Sequence, residues 1–426
     1  MPGACEKTFV KGAAKRVHAP GFSVLSIQHP QQDALSDCFF VFPSFCCFET
    51  ELTFMPKILK NCILFFRRET VLCIAALLAL LSVFFVPPSA VYISYIDWDT
   101  LALLFSLMAV MKGFQKAGLF VFLGNQLLKR TGTTRKMLLV LVFLPFVFSM
   151  VITNDVSLIT FVPFGIIVLR MAKQEHLLTP LVVMQTVAAN LGSMLTPMGN
   201  PQNLYLYAKS GMGFGELCWL MTPYVLISGL CLVLLVFFQK SVLLPVVSVN
   251  VKLGSSWELL CCTLGFIICL LGLFQWVSPL AVAATIFLFL LFANRCLLAG
   301  IDYSLLATFF FFFIFIGNIG NVTSFKNFLS SVLAGHVLPA AVLASQVISN
   351  VPAALLLSGF TTQWDALIVG CNLGGLGTLI ASMASLISYK IVAKEYPDQR
   401  RIYFIWFTVC NICLLALLLL ASFLLA

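Results

Sequence analysis

Apolar stretches of nearly twenty residues recur along almost the whole of this chain, separated by short polar, basic or proline-containing breaks. A helix rises about 1.5 Å per residue, so stretches of this length approach the roughly 30 Å of a bilayer's hydrocarbon core. The pattern predicts spans at Val71–Val86, Asp97–Met111, Pro180–Gly199, Cys218–Phe238, Trp257–Trp276, Pro279–Asn294, Tyr303–Gly317, Ala366–Ser388 and Ile402–Leu425. One further apolar stretch, Met137–Leu169, is interrupted by Thr153-Asn154-Asp155. Its arms, Met137–Ile152 and Val156–Leu169, would reach about 24 and 21 Å, which is short for a crossing. Both of its flanks are basic, which places both ends on one side. Non-helical, polar backbone is tolerated at membrane depth only where it is buried in protein or lines an aqueous cavity. A re-entrant hairpin meets these conditions; two short crossings joined by an external turn are the competing reading.

Composition agrees with the pattern. Of 426 residues 61% are hydrophobic and 10% charged, against about 45–50% and about 25% in soluble domains. A water-soluble core, a disordered chain and a nucleic-acid-binding protein are all excluded. The net charge of +9 reports orientation once it is placed along the chain. With a cytoplasmic N-terminus, 23 of the 25 Lys and Arg fall inside and only Lys209 and Lys326 outside, a strong form of the positive-inside rule. The chain is therefore expected to be a multi-pass protein of the cell (inner) membrane, N-terminus cytoplasmic and C-terminus external. Most of the 15 cysteines lie within apolar stretches without ligand spacing and read as small packing residues.

The second half repeats the first. Ile96-Asp97-Trp98 matches Ile301-Asp302-Tyr303, Val151-Ile152-Thr153-Asn154 matches Val347-Ile348-Ser349-Asn350, and Asn190-Leu191-Gly192-Ser193 matches Asn372-Leu373-Gly374-Gly375. Six residues beyond the last pair, Thr196 matches Thr378. Matches in one order indicate an internal duplication, and the single intervening span Trp257–Trp276 inverts the second copy. The expected fold is all-α and polytopic, with two inverted repeats, about nine full spans and two opposed hairpins. Residues 1–54 form an extension and 55–240 the first repeat, with a cytoplasmic-side hairpin at 137–169. A linker loop and span occupy 241–277, and 278–426 is the second repeat, with an external-side hairpin at 338–361. Inverted repeats with broken helices meeting near the midplane describe a secondary transporter.

The breaks carry the candidate chemistry. Val156 and Pro352 each open a half-helix, whose free N–H groups and positive dipole end favour an anion. Thr153, Asn154, Ser349 and Asn350 supply hard oxygen ligands suited to an alkali cation. The segment Thr196-Pro197-Met198-Gly199-Asn200-Pro201-Gln202-Asn203 is a second kind of break, with Gly374-Gly375-Leu376-Gly377-Thr378, followed by Ala381 and Ser382, as its counterpart. Polar residues inside membrane helices often only bond neighbouring helices, but four symmetric breaks favour binding. Asp155 is the one carboxylate placed well inside the membrane. Its charge costs about 2.5–3.5 kcal/mol at the bilayer centre, so it implies a partner, a cation or a bound proton. The alternative role is a structural acid at a helix N-terminus. The second copy has Val351 at this place, so the two tips differ chemically.

The runs Val151–Val156, Asn190–Asn203 and Ser349-Asn350-Val351-Pro352-Ala353 resemble the ion transporter superfamily, and within it the citrate and anion permeases related to divalent anion–sodium symporters and arsenite permeases. The resemblance covers roughly Met55 to Ala426. It implies a scaffold with a mobile transport domain, elevator-type alternating access and a homodimer. In dicarboxylate members each hairpin tip carries Ser-Asn-Thr, which holds carboxylate and sodium. Here Asp155 and Val351 replace the Thr, which looks more like the arsenite-permease side. The resemblance also implies carbonyl ligands for a cation at Gly199 and its repeat mate Ala381.

The expected function is secondary active transport of a small anion, a di- or tricarboxylate such as citrate or an inorganic oxyanion, coupled to Na+ or H+. Expected substrate-binding residues are Asn154, Thr196, Asn200, Asn350 and Thr378. Expected coupling-ion residues are Thr153, Asn154, Asp155, Gly199, Ser349, Asn350 and Ala381. No cofactor and no metal beyond Na+ is expected, and no enzyme activity: no His-Glu-x-x-His or Walker-type motif is present. The expected partners are the anionic solute, the lipid bilayer and a second copy of the chain, with no nucleic acid. Arsenite or antimonite extrusion, or Na+/H+ antiport through Asp155, are the alternatives. The first 54 residues fit neither repeat, and Met55 reads as the start of the membrane protein.

Overall fold

The computed structural model describes residues 65–66, 69–244, 249 and 251–425; the expected extension 1–54 lies outside them. Apolar sequence between breakers produces helix after helix. In the first half these are α1 (Thr70–Ser82), α2 (Val91–Tyr95), α3 (Trp98–Lys116), α4 (Leu119–Leu128), α5 (Thr134–Phe148), α6 (Asn154–Met171), α7 (Leu178–Gly192), α8 (Pro201–Ser210) and α9 (Phe214–Phe237). After α10 (Ser256–Leu273) follow α11 (Pro279–Ala293), α12 (Arg295–Leu298), α13 (Tyr303–Ile319), α14 (Thr323–Leu333), α15 (Val337–Ile348), α16 (Asn350–Ser358), α17 (Trp364–Leu373), α18 (Met383–Glu395) and α19 (Arg400–Leu425).

Local chemistry sets the helix ends. Asp97 caps α3 by accepting from Thr100 N, and Asp302 caps α13 by accepting from Leu305 N, each satisfying one otherwise unpaired donor. The expected span Ala366–Ser388 is two helices, α17 and α18, parted at 374–382. Gly377 sits there at φ +103, a conformation open to glycine at little cost. The span expected to reach Gly199 stops at Gly192, because the Pro197 and Pro201 rings cannot continue a helix. Helices α4 and α14 occupy stretches the apolar pattern left as connections; they bend from α3 and α13 by 52° and 104°. Among the described residues four helical segments are individually long and apolar enough to cross a membrane, or six when each bent pair counts as one. One of the four is α6, whose 18 residues outrun the expected arm because it starts at Asn154 and continues to Met171.

Packing is reciprocal between the halves. Helix α1 packs on α13 and α11 on α3; α6 packs on α18 and α16 on α8; α7 packs on α18 and α17 on α8. Close approach of α7 to α5 depends on Gly192, where a Cβ would lie 1.9 Å from Phe146 O and 2.7 Å from Ser149 Oγ. At the matching place in the second half, a Cβ on Gly374 would lie 2.6 Å from Ser345 Oγ. Helix α7 is buried along its length, while α9, α10, α11 and α19 each keep a broad exposed apolar face, as lipid-facing helices do.

Candidate functional site

Two broken pairs, α5–α6 and α15–α16, bring their tips to the same place as the starts of α8 and α18. One cavity is lined by Asn154 and Asp155 of α6, Asn200, Pro201 and Gln202 at the start of α8, Asn350 and Val351 of α16, and Ser382 and Met383 at the start of α18. Every one of these residues is the cap or one of the first two residues of its helix. Four helix N-termini, two from each half of the chain, therefore meet there. Within these helices Ser157, Ala353 and Leu204 are the first to donate to Thr153 O, Ser349 O and Asn200 O. The N–H groups ahead of them have no partner in their own helix, and of these Asp155 N turns to Asn154 Oδ1 and Asn350 N to Ala381 O. Each N-terminus carries a partial positive charge of about +0.5. Asp155 is the only ionisable side chain among the lining residues.

The cavity is small, about 10 Å³, which is room for about one water-sized body. Polar atoms around it lack protein partners. Gln202 is 1% exposed, and both its Nε2 and Oε1 are buried and unpaired. Asp155 Oδ1 and Asn200 Oδ1 are likewise buried and unpaired. A buried polar group without a partner costs about 1–3 kcal/mol, so these groups are costly to maintain unless a solute meets them.

A hydrogen-bond lattice holds the tips. Asn190 Oδ1 accepts from Asn154 Nδ2 and from Ser382 Oγ, both at 3.1 Å, and its Nδ2 donates to Ser385 Oγ at 3.1 Å. In the other direction, Asn372 Nδ2 donates to Asn203 Oδ1 at 2.8 Å. Asn203 and Ser385 stand the same distance beyond Asn190 and Asn372 in sequence, so each half reaches across to the other through equivalent positions. Asn154 also accepts from Asp155 N through Oδ1 at 2.8 Å. At the second tip Asn350 N and Ser349 Oγ donate to Ala381 O at 3.0 and 3.3 Å. The tips differ in backbone: Thr153 is extended at φ −63, whereas Ser349 sits at φ +74. A non-glycine residue there costs of order 1–3 kcal/mol, and such strain clusters at binding sites.

Of the expected residues, Asn154, Asp155, Asn200 and Asn350 line the cavity. Thr153 and Ser349 are the capping positions directly before two of them. Gly199 and Ala381 directly precede Asn200 and Ser382, and Ala381 offers its carbonyl to the second tip. Thr196 and Thr378 are not in the lining. Thr196 Oγ1 donates to Met150 O, and Thr378 Oγ1 donates to Gln346 O at 3.2 Å, so each hydroxyl braces the helix leading into a tip. Gln202 and Ser382 were outside the expected set. Both belong to the broken runs in the sequence, and Gln202 directly follows a proline, the position that ends up in a helix's first turn.

The sequence profile of the citrate transporter family, CitMHS, matches residues 58–363. An uncharacterized transporter of Methanocaldococcus jannaschii is 32% identical over 299 residues, covering 70% of this chain and 81% of that protein. The inner membrane protein YbiR of Escherichia coli is 31% identical over 321 residues, 72% of this chain and 82% of its own length. A silicon efflux transporter of Oryza sativa is 33% identical over 120 residues, 28% of this chain and 24% of that protein.

Proposed function

This chain belongs to the citrate transporter family and is a multi-pass membrane transporter of the anion permease type, not an enzyme; from that premise we propose that it moves a small anion by secondary active transport, coupled to Na+ or H+. The observation that carries the proposal is the meeting of four helix N-termini in one cavity with no Lys or Arg in its lining. Their summed dipoles attract negative charge without the deep well that a buried cationic side chain would create. The buried oxygens of Asp155, Asn200 and Gln202 suit a coupling cation or a proton beside the anion. A di- or tricarboxylate such as citrate exceeds a cavity of about 10 Å³, so its passage requires the tips to separate and close again, as alternating access does.

The architecture proposed with this function is two inverted repeats, 55–240 and 278–426, joined by a linker and span at 241–277. Two opposed re-entrant hairpins, 137–169 and 338–361, join about nine crossings. The reciprocal packing of α1 on α13 with α11 on α3, and the crossed pairs Asn190–Ser385 and Asn372–Asn203, support it. Helices α15 and α16, of 12 and 9 residues, reach only about 18 and 14 Å and fall short of a crossing. An elevator-type movement, a homodimer, and a cell (inner) membrane location with a cytoplasmic N-terminus and external C-terminus complete the proposal.

A second reading, extrusion of arsenite or antimonite or Na+/H+ antiport, is favoured by the size of the cavity and by Asp155 in its wall. The silicon efflux relative adds weight to export. Uptake into proteoliposomes under imposed sodium or proton gradients, across citrate, succinate, sulfate and arsenite, separates the two. Asn154→Ala and Asn350→Ala are each expected to abolish transport in folded protein. Full transport in both would remove the proposed site.

A further inference from the structure

The two basic residues that the charge pattern sets apart from the other 23 come together in space. Lys209, in the last turn of α8, and Lys326, in α14, line one open cleft of about 550 Å³. This is the size of a small-molecule site. Other walls are Ser330, Ser358 at the end of α16, and Thr361, Thr362 and Gln363 leading into α17. Among the described residues neither ammonium has a hydrogen-bond or ion-pair partner, and both are exposed. The positive end of α17 opens at Gln363, beside the three polar residues of the loop. Asp365, the acid in the first turn of α17, is not among the lining residues.

Two helices run from the cleft to the central cavity. Helices α8 and α16 both start in the wall of that cavity and end at the cleft, so the two sites lie about one ten-residue helix, or about 15 Å, apart. Tyr205 of α8 and Ser358 of α16 share a hydrogen bond of 2.8 Å that ties the two helices together at the cleft wall. A lysine in the last turn of a helix complements the dipole, which is enough to explain Lys209 alone. It does not explain Lys326, which arrives from a different helix to face the same space.

We propose that this cleft is a second anion site, a vestibule in which Lys209, Lys326 and the start of α17 collect a soluble polyvalent anion before it enters the central cavity. The proposal rests on the anion-transport reading for its purpose, but its test does not need transport. Two ammonium groups and a helix N-terminus select for multiple negative charge, so di- and tricarboxylates or phosphate are favoured over chloride. Positive potential in a cleft also raises local anion concentration in a salt-dependent manner.

Full-length protein in phosphatidylcholine nanodiscs would be acylated with a water-soluble lysine reagent and the rate at each lysine read by mass spectrometry. Citrate and inorganic phosphate are the probes, with glucose and ionic-strength-matched chloride as controls. At ten times the dissociation constant a bound anion slows acylation of Lys209 and Lys326 about tenfold, and leaves Lys116, Lys129 and Lys173 unchanged. The same protection is expected in Asn154→Ala and in Asn350→Ala, which disable only the central cavity. Equal rates at Lys209 and Lys326 with and without citrate or phosphate would overturn the proposal. So would protection that vanishes in both central-site variants. Protection seen only in nanodiscs containing phosphatidylglycerol would reassign the cleft to a lipid headgroup and equally overturn it.

Discussion

Asn190→Ala tests the central lattice most directly. Asn190 is 3% exposed and engages three side chains at once: Asn154 of the first tip, and Ser382 and Ser385 of the second half. Interhelical hydrogen bonds in membranes average about 0.6 kcal/mol and reach about 1.7. Loss of three therefore costs about 2 kcal/mol, with about 5 as the ceiling. The lower figure is small against the 5–15 kcal/mol of a typical folded domain, so the variant is expected to fold, unfold at a lower temperature and lose transport. Thermal unfolding can be followed with a thiol-reactive dye, since Cys371 and Cys269 are fully buried and become reactive only on opening. The decisive comparison adds Ser382→Ala and Ser385→Ala. In the single variant two serine hydroxyls lose a partner; in the triple variant they are absent, so it should be no less stable than Asn190→Ala alone. If the triple loses the sum of three independent substitutions, the lattice is not a unit and the reasoning fails.

Two further predictions concern the cavity wall. Gln202→Met keeps the volume but removes two buried unpaired polar atoms; it should raise stability by about 1 kcal/mol while abolishing uptake, and lower stability or retained uptake would contradict a ligand role. Asp155→Asn keeps the shape and removes the charge, so the sodium or pH dependence of transport should change; an identical profile in both would return Asp155 to a structural role at the start of α6.

The tips were legible in the sequence because polar triplets are conspicuous inside apolar runs. Asn154, Asp155, Asn200 and Asn350 stood out for that reason, and they line the cavity. Thr196 and Thr378 were equally conspicuous, but sequence does not say which way a hydroxyl turns, and theirs turn to the carbonyls of Met150 and Gln346. Gln202 escaped because its Pro-Gln-Asn run read as backbone disruption rather than as the first turn of α8. The division between α17 and α18 was blurred because apolar residues flank Gly374–Gly377 closely enough to sustain one continuous hydropathic stretch. Helices α4 and α14 were missed because they are 10 and 11 residues long, too short to resemble a span. The three short sequence matches lie in or beside α3 and α13, the two broken pairs, and α7 and α17, which take part in the reciprocal packing of the two halves.

The crossed amide pairs carry a consequence for biogenesis. Asn190 waits for a serine 195 positions later, and Asn203 for an asparagine 169 positions later. When the ribosome has released only the first half into the bilayer, Asn190 has Asn154 and Asn203 has the Ser193 carbonyl, but the amide atoms meant for the second half must keep company with water or with the insertion machinery. The polar heart of the protein therefore closes last, after α18 has been threaded into place, and a chain truncated before Asn372 should be left open at its centre and handed to quality control.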